Sequence, residues 1–101
     1  MTFLRIVAYE DASITDDQLE IWDEFVGRYL RDNPDCVRAK AARSGNTMVV
    51  LSEWTSQAAL ERDKDSAAFQ AVVRDVAAKI NMSPDITPDW MFEGDVLVNI
   101  G

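Results

Sequence analysis

The sequence predicts an α+β domain of the ferredoxin-like type, β-α-β-β-α-β, with a four-stranded antiparallel sheet and both helices on one face. Three observations predict it. Runs rich in β-branched and aromatic residues fall at 2–9, 36–43, 47–54 and 90–100. Segments with helical spacing of apolar residues separate the first run from the second and the third from the fourth. A short SGN segment at 44–46 joins the middle two runs, so these form a hairpin.

Each element has its own signals. TFLRIVAY, residues 2–9, is the first strand. The first helix begins at a capping box, Thr15 with Gln18. Asp16, Asp17 and Glu20 open it and Arg28 and Arg31 close it, which complements the helix dipole. Leu19, Trp22, Val26 and Tyr29 form its apolar stripe, widened by Ile21, Phe25 and Leu30. Pro34 stops it. CVRAKAAR (36–43) and TMVVLSEW (47–54) are the second and third strands. Thr55 or Ser56 caps a short helix to about Asp63. A further helical stretch, 66–80, carries Phe69, Val72, Val73, Val76 and Ile80 on one stripe. After a loop with Pro84 and Pro88, WMFEGDVLVNI (90–100) is the fourth strand, with a bend expected at Gly94.

Composition narrows the function classes. The chain has 101 residues, enough for one domain with a modest core, and 48% are hydrophobic. Its net charge is −8, which argues against nucleic acid and against anionic membrane surfaces. No apolar run reaches membrane-spanning length. The opening MTFLRIVAYED lacks the parts of a signal peptide and reads as a strand. The single Cys36 cannot form an internal disulfide. A cytoplasmic protein is expected. There is no histidine, so a Ser-His-Asp or Cys-His hydrolase is excluded, and no zinc or histidine-ligated haem site is expected.

The third and fourth strands are apolar on both parities. Met48, Val50 and Trp54 alternate with Val49 and Leu51, and Val96, Leu97, Val98 and Ile100 follow one another. A sheet with one wet face alternates more cleanly. The sheet face away from the helices is therefore expected to be covered, by a second copy in a homodimer.

NTMVVLSEWTSQAALERDKDSAAFQAVVRDV (46–76) resembles the antibiotic biosynthesis monooxygenase family of the dimeric α+β barrel superfamily. The resemblance rests on a strand ending in Trp54, then Thr55, Ser56 and the helix start QAAL (57–60), with Phe69 after a small-residue turn. NPDCV (33–37) resembles the family's entry to the second strand. Where the family often has a histidine, nine residues past the tryptophan, this chain has Asp63. Better-known members oxidise anthrones or quinols with molecular oxygen and neither metal nor flavin. In those oxygenases an asparagine and a tyrosine help line the site; the matching positions here are Val50 and Leu60. Haem-degrading relatives use a histidine that is absent here.

The resemblance implies a single domain over 1–101, a dimeric α+β barrel, no cofactor, no metal, and a small apolar or aromatic ligand. Its functional form is a cofactor-independent monooxygenase acting on a polycyclic phenol or quinol. Trp54 would shape the pocket, Tyr29 or Tyr9 would bind the phenolic oxygen, and Asp63 would be the base. Trp22, Phe25, Val50, Leu60 and Phe69 would complete the substrate site. Other readings stand beside these. Trp54 is either a core plug or a pocket wall whose indole N–H faces a ligand. Trp22, Phe25 and Tyr29 form either a core stripe or one wall of the pocket. Asp63, between Arg62 and Lys64, is either part of a solvated charge cluster or a carboxylate facing the cavity. Arg5, Arg38 and Lys40 lie within strands; if one parity of the second strand faces the dimer interior, Arg38 and Lys40 are buried cations that pair with Glu53 or Glu93 or meet an anionic ligand. The same fold also suits a binding protein without turnover, and a cofactor-free isomerase or cyclase.

Overall fold

The computed structural model describes residues 1–10, 13–82 and 87–100. Pro84 lies outside them. The strands are β1 (Phe3–Tyr9), β2 (Cys36–Ser44), β3 (Thr47–Trp54) and β4 (Trp90–Asp95). They form one antiparallel sheet in the order β2-β3-β1-β4. The β2–β3 hairpin turns on Gly45, whose φ of +58 is the conformation glycine adopts without steric cost.

The first helix is continuous but has three parts: α1 (Asp16–Trp22), a π-helical turn (Asp23–Gly27) and α2 (Arg28–Asp32). Thr15 and Gln18 form the expected capping box, with bonds of 3.1 and 2.8 Å. α3 (Gln57–Lys64) is capped by Ser56 and α4 (Ala67–Lys79) by Ser66, each hydroxyl accepting from an N–H at 3.1 Å. These caps satisfy donors that a helix start leaves unpaired. Among the described residues no helix is long and apolar enough to cross a membrane.

The strand alternation sorts the sheet into two faces. Phe3, Arg5, Val7 and Tyr9 of β1 share the inner face with Trp54, Ser52, Val50 and Met48 of β3. This face meets the helices. The core there gathers Phe3, Val26, Leu30, Trp54, Leu60, Val76 and Ile80. The outer face carries Leu4, Ile6 and Ala8 against Glu53, Leu51 and Val49, with Trp90 and Phe92 beside them. Trp90 is 46% exposed and Phe92 52%.

One expectation needs correction. The fourth strand stops at Asp95 rather than running to Ile100; Leu97, Val98 and Ile100 are highly exposed and pair with no strand among the described residues. At Gly94 the strand keeps its register with β1, through to Asp95. The apolar stripe of the first helix meets the core as expected, with Val26 and Leu30 buried and Ile21, Trp22, Phe25 and Tyr29 packed against them, but it runs through a π turn that the spacing does not announce. The buried positions are Val26 and Gly27 within the π turn and Leu30 in α2. Tyr29 is only half-buried.

Candidate functional site

Between the inner face of the sheet and the helices lies a cavity of about 200 Å³. Its walls are mostly apolar, with Val7, Val50, Trp54, Leu60 and Phe69 among them. Four titratable side chains also reach it: Arg5, Tyr9, Asp63 and Lys64. A more open groove, about 700 Å³, runs between α1 and the exposed strand β2, and Asp16, Glu20, Asp23, Arg31, Arg38 and Lys40 give it a charged border. The cavity against the inner sheet face has the character of a small-molecule site, apolar with a few polar groups.

Trp54 is both plug and wall. It is 2% exposed, belongs to the core cluster and lines the cavity. Its indole N–H does not face a ligand, because Nε1 donates to Ser52 Oγ at 2.9 Å and both groups are buried. The register places Ser52 two residues earlier on the same face, between Trp54 and Val50. A buried indole N–H normally finds such a partner.

Asp63 is not part of a freely solvated cluster. It is half-buried at the end of α3 and accepts two hydrogen bonds on Oδ1, from the Tyr29 hydroxyl at 2.5 Å and from Asn33 Nδ2 at 2.8 Å. The turn after α2 supplies Asn33, and α2 supplies Tyr29. Two donors from one side fix the carboxylate's orientation on the cavity wall. Tyr29 itself is not on the lining. It stands behind Asp63, and its ring packs against Phe69 at 5.7 Å between centroids.

The two tyrosines hold their protons tightly. Burial pushes the Tyr29 phenol above its ordinary value, and the bond to the Asp63 carboxylate pushes further; the Ser66 hydroxyl opposes both. Burial raises Tyr9 likewise, with the Arg5 charge opposing. Tyr9 therefore presents a neutral hydroxyl donor to the cavity. Cys36 is raised mainly by burial and secondarily by the Asp63 charge, so at neutral pH it is a thiol and a poor nucleophile.

Several other sequence-derived candidates are placed directly. Trp22, Val50, Leu60 and Phe69 line the cavity. Phe25 does not. It packs against the core, and Lys79 Nζ sits 5.5 Å from its ring centroid. Trp22 also packs against that core, but it reaches the cavity and Phe25 does not. Arg38 pairs with Glu53 at 3.2 Å on the outer face, and Thr2 Oγ1 donates to the same carboxylate at 2.6 Å, so buried Glu53 is satisfied at both oxygens. Arg5 faces Glu93 across β1 and β4 at 3.7 Å. Sequence reasoning did not assign Arg5 and Lys64 to the cavity, nor Asn33 to Asp63. The available signal for Arg5 was its parity with Phe3, Val7 and Tyr9. Asn33 had none, since its pairing with Asp63 spans 30 residues.

No match was found among curated proteins. Solved structures agree with the fold over nearly the whole chain. SnoaB, a cofactor-independent oxygenase from Streptomyces nogalater, here as a mutant form, superposes with a TM-score of 0.70 at 12% identity, covering 98% of this chain and 96% of that one. The heme-degrading protein Rv3592 from Mycobacterium tuberculosis gives 0.64 at 16% identity, with both chains fully covered. Rv0793 from the same organism gives 0.66 at 13% identity, again with full coverage of both. At such identities the likeness shows the fold alone. Membership is carried by the family model for antibiotic biosynthesis monooxygenase, which matches residues 6–75 and so spans most of the sheet, the first helix, α3 and the Trp54–Asp63–Phe69 segment: this chain belongs to the antibiotic biosynthesis monooxygenase family.

Proposed function

We propose that this single-domain chain is a cofactor-independent oxygenase for a small phenol or quinol and works as a homodimer packed through the outer sheet face. The observation that carries the reading is the Asp63 carboxylate. It is held by Tyr29 and Asn33 on the wall of an apolar cavity that Trp54 closes. Such a group can take a phenol's proton away from bulk water. The phenolate then supplies electrons to molecular oxygen, a C–O bond forms at a ring carbon, and the hydroperoxide loses water to leave a quinone. One oxygen atom stays on the ring. The other departs in water with the phenolic hydrogen and the ring hydrogen. Tyr9 donates to the substrate oxygen, and Tyr29 acts only through Asp63, as a positioning residue.

The cavity volume narrows the substrate. About 200 Å³ lies below the roughly 300–1,000 Å³ of ordinary ligand sites. One or two rings suit it better than the tricyclic anthrone skeleton that the family resemblance suggests. The similarity to SnoaB, described as a cofactor-independent oxygenase, supports the chemistry and not the substrate. The sheet-face dimer draws support from exposed Trp90 and Phe92, which lie beside Ile6 and Leu51 on that face.

Val50 and Leu60 favour a second reading, a binding protein without turnover, because both put hydrocarbon on the lining where oxygenases of the resembling family place polar groups. Oxygen uptake with 1-naphthol and with anthrone, no metal or flavin added, separates the two. The oxygenase reading expects uptake above the spontaneous rate that is lost in Asp63→Asn. Binding of either compound without uptake leaves the binding protein.

A further inference from the structure

We propose that the cavity selects ligands bearing a carboxylate, recognised by Arg5 and Lys64. This deepens the reading above by naming the ligand class, and rests on it only in taking the cavity as the ligand site.

Arg5 lies in the middle of β1 on the inner face, between Phe3 and Val7 and beneath the helices. Its side chain is 25% exposed and lines the cavity. Drawing a guanidinium from water costs free energy unless its donors are used. Among the described residues they are hardly used. Arg5 makes no side-chain hydrogen bond there, and its one ion pair is the 3.7 Å approach to Glu93 Oε2. That oxygen is buried and also lacks a hydrogen bond. Arginine offers five N–H donors in a fork that suits a carboxylate.

Lys64 also lines the cavity and converges on the same Glu93 oxygen at 3.9 Å. Its shorter contact, 3.1 Å to Glu61, is a half-exposed pair one helical turn back, of a kind that contributes little. Two cations thus share one loosely held carboxylate at the cavity edge. A second anionic group entering the cavity would meet both.

The site is less acidic than the chain as a whole. The whole sequence has 18 acids against 10 cations. With the two cations stand two acids: Asp63 on the lining, whose Oδ1 already accepts two protein donors, and Glu93 beside it, which the cations share. Among the described residues neither acid takes a hydrogen bond from Arg5, so its fork of donors is open to a ligand carboxylate. The Tyr9 hydroxyl on the same lining offers a further donor. A one- or two-ring hydroxy acid fits the volume and the groups together.

The test compares 2-naphthol with 3-hydroxy-2-naphthoic acid by calorimetric titration of the intact protein. The acid should bind roughly ten-fold to a hundred-fold more tightly than the naphthol, as expected for hydrogen bonds to a charged group. Arg5→Gln and Lys64→Gln should each bring the two affinities together, and Arg5→Lys should keep part of the difference. Thermal unfolding checks each variant; if Arg5→Gln does not fold, Lys64→Gln, at a helix end, decides. Equal affinities in the wild type, a preference that survives both substitutions, or no binding of either compound would overturn the proposal. Oxygen uptake reports separately: uptake without a carboxylate preference sinks this inference alone, and a preference without uptake sinks only the oxygenase.

Discussion

Trp54 Nε1 donates to Ser52 Oγ at 2.9 Å inside the core, so the largest side chain of the cavity wall is held by its own strand. Ser52→Ala removes the acceptor and leaves a buried donor unpaired. It should lower stability by about 1–3 kcal/mol, measured by urea unfolding. Trp54→Ala should cost about 3–5 kcal/mol. Adding Trp54→Phe to Ser52→Ala removes both polar partners, and the pair should cost less than the two single changes summed. Additive costs would show that the bond contributes nothing. Because Trp54→Ala threatens the fold, Trp54→Phe is the variant whose activity reports on the pocket.

Tyr29 touches Asp63 and not the cavity, which separates two roles that the sequence alone leaves merged. Asp63→Asn should reduce turnover by about 10²–10⁴-fold, the usual span for a positioned base. Tyr29→Phe should reduce kcat by roughly ten-fold, through a less well oriented carboxylate, and leave KM for a neutral phenol nearly unchanged. Steady-state oxygen uptake gives both numbers. A rise in KM at constant kcat would place Tyr29 against the substrate instead.

What the sequence made legible follows from local rules. β3 was readable to the residue because Gly45 marks one end and the Ser56 cap the other. The capping box at Thr15 was equally local. The end of β4 was not, because hydropathy reports what wants burial, and the tail at 96–100 is apolar yet exposed in the monomer. The π turn was invisible for a related reason. Val26 and Leu30 satisfy an α-helical stripe as well as a π-shifted one, and only packing against the sheet selects between them. The site itself was half legible. Trp54, Asp63 and Phe69 lie within one segment, whereas the Asn33–Asp63 and Arg5–Glu93 pairings need the tertiary fold.

The tyrosines set a pH dependence with a definite sign. Both are raised above 10.0 in the folded chain, by burial first. The unfolded chain then gives up these protons at lower pH than the folded one. Their contribution to stability is complete below the ordinary tyrosine value, and is lost as pH climbs from there through the raised folded values. Urea midpoints should therefore hold steady towards pH 9 and fall above about pH 10. The slope should be shallower in Tyr9→Phe and in Tyr29→Phe than in the wild type. An unchanged slope in both would mean that neither phenol is shielded.

The outer sheet face carries the final prediction. Trp90 and Phe92 extend the row of Ile6, Ala8 and Leu51, and Phe92 lies across Gly94, where a Cβ would come within 3.0 Å of its ring. Glycine there lets the aromatic ring lie along the sheet and present a broad apolar surface. Glu53, the buried acid on that face, already has Arg38 and Thr2 as partners and can be covered without leaving an unpaired charge. A stable dimer buries roughly 1,200–2,000 Å² in total, an area that a four-stranded face with an apolar tail can approach. Native mass measurement at micromolar concentration should give a dimer. Phe92→Glu should give a folded monomer, because a charge at a half-exposed position costs the fold little and sits badly in an apolar interface. A wild-type monomer would refute the dimer outright. A Phe92→Glu dimer of undiminished affinity would move the interface to another surface, with the open groove between α1 and β2 next to be tested.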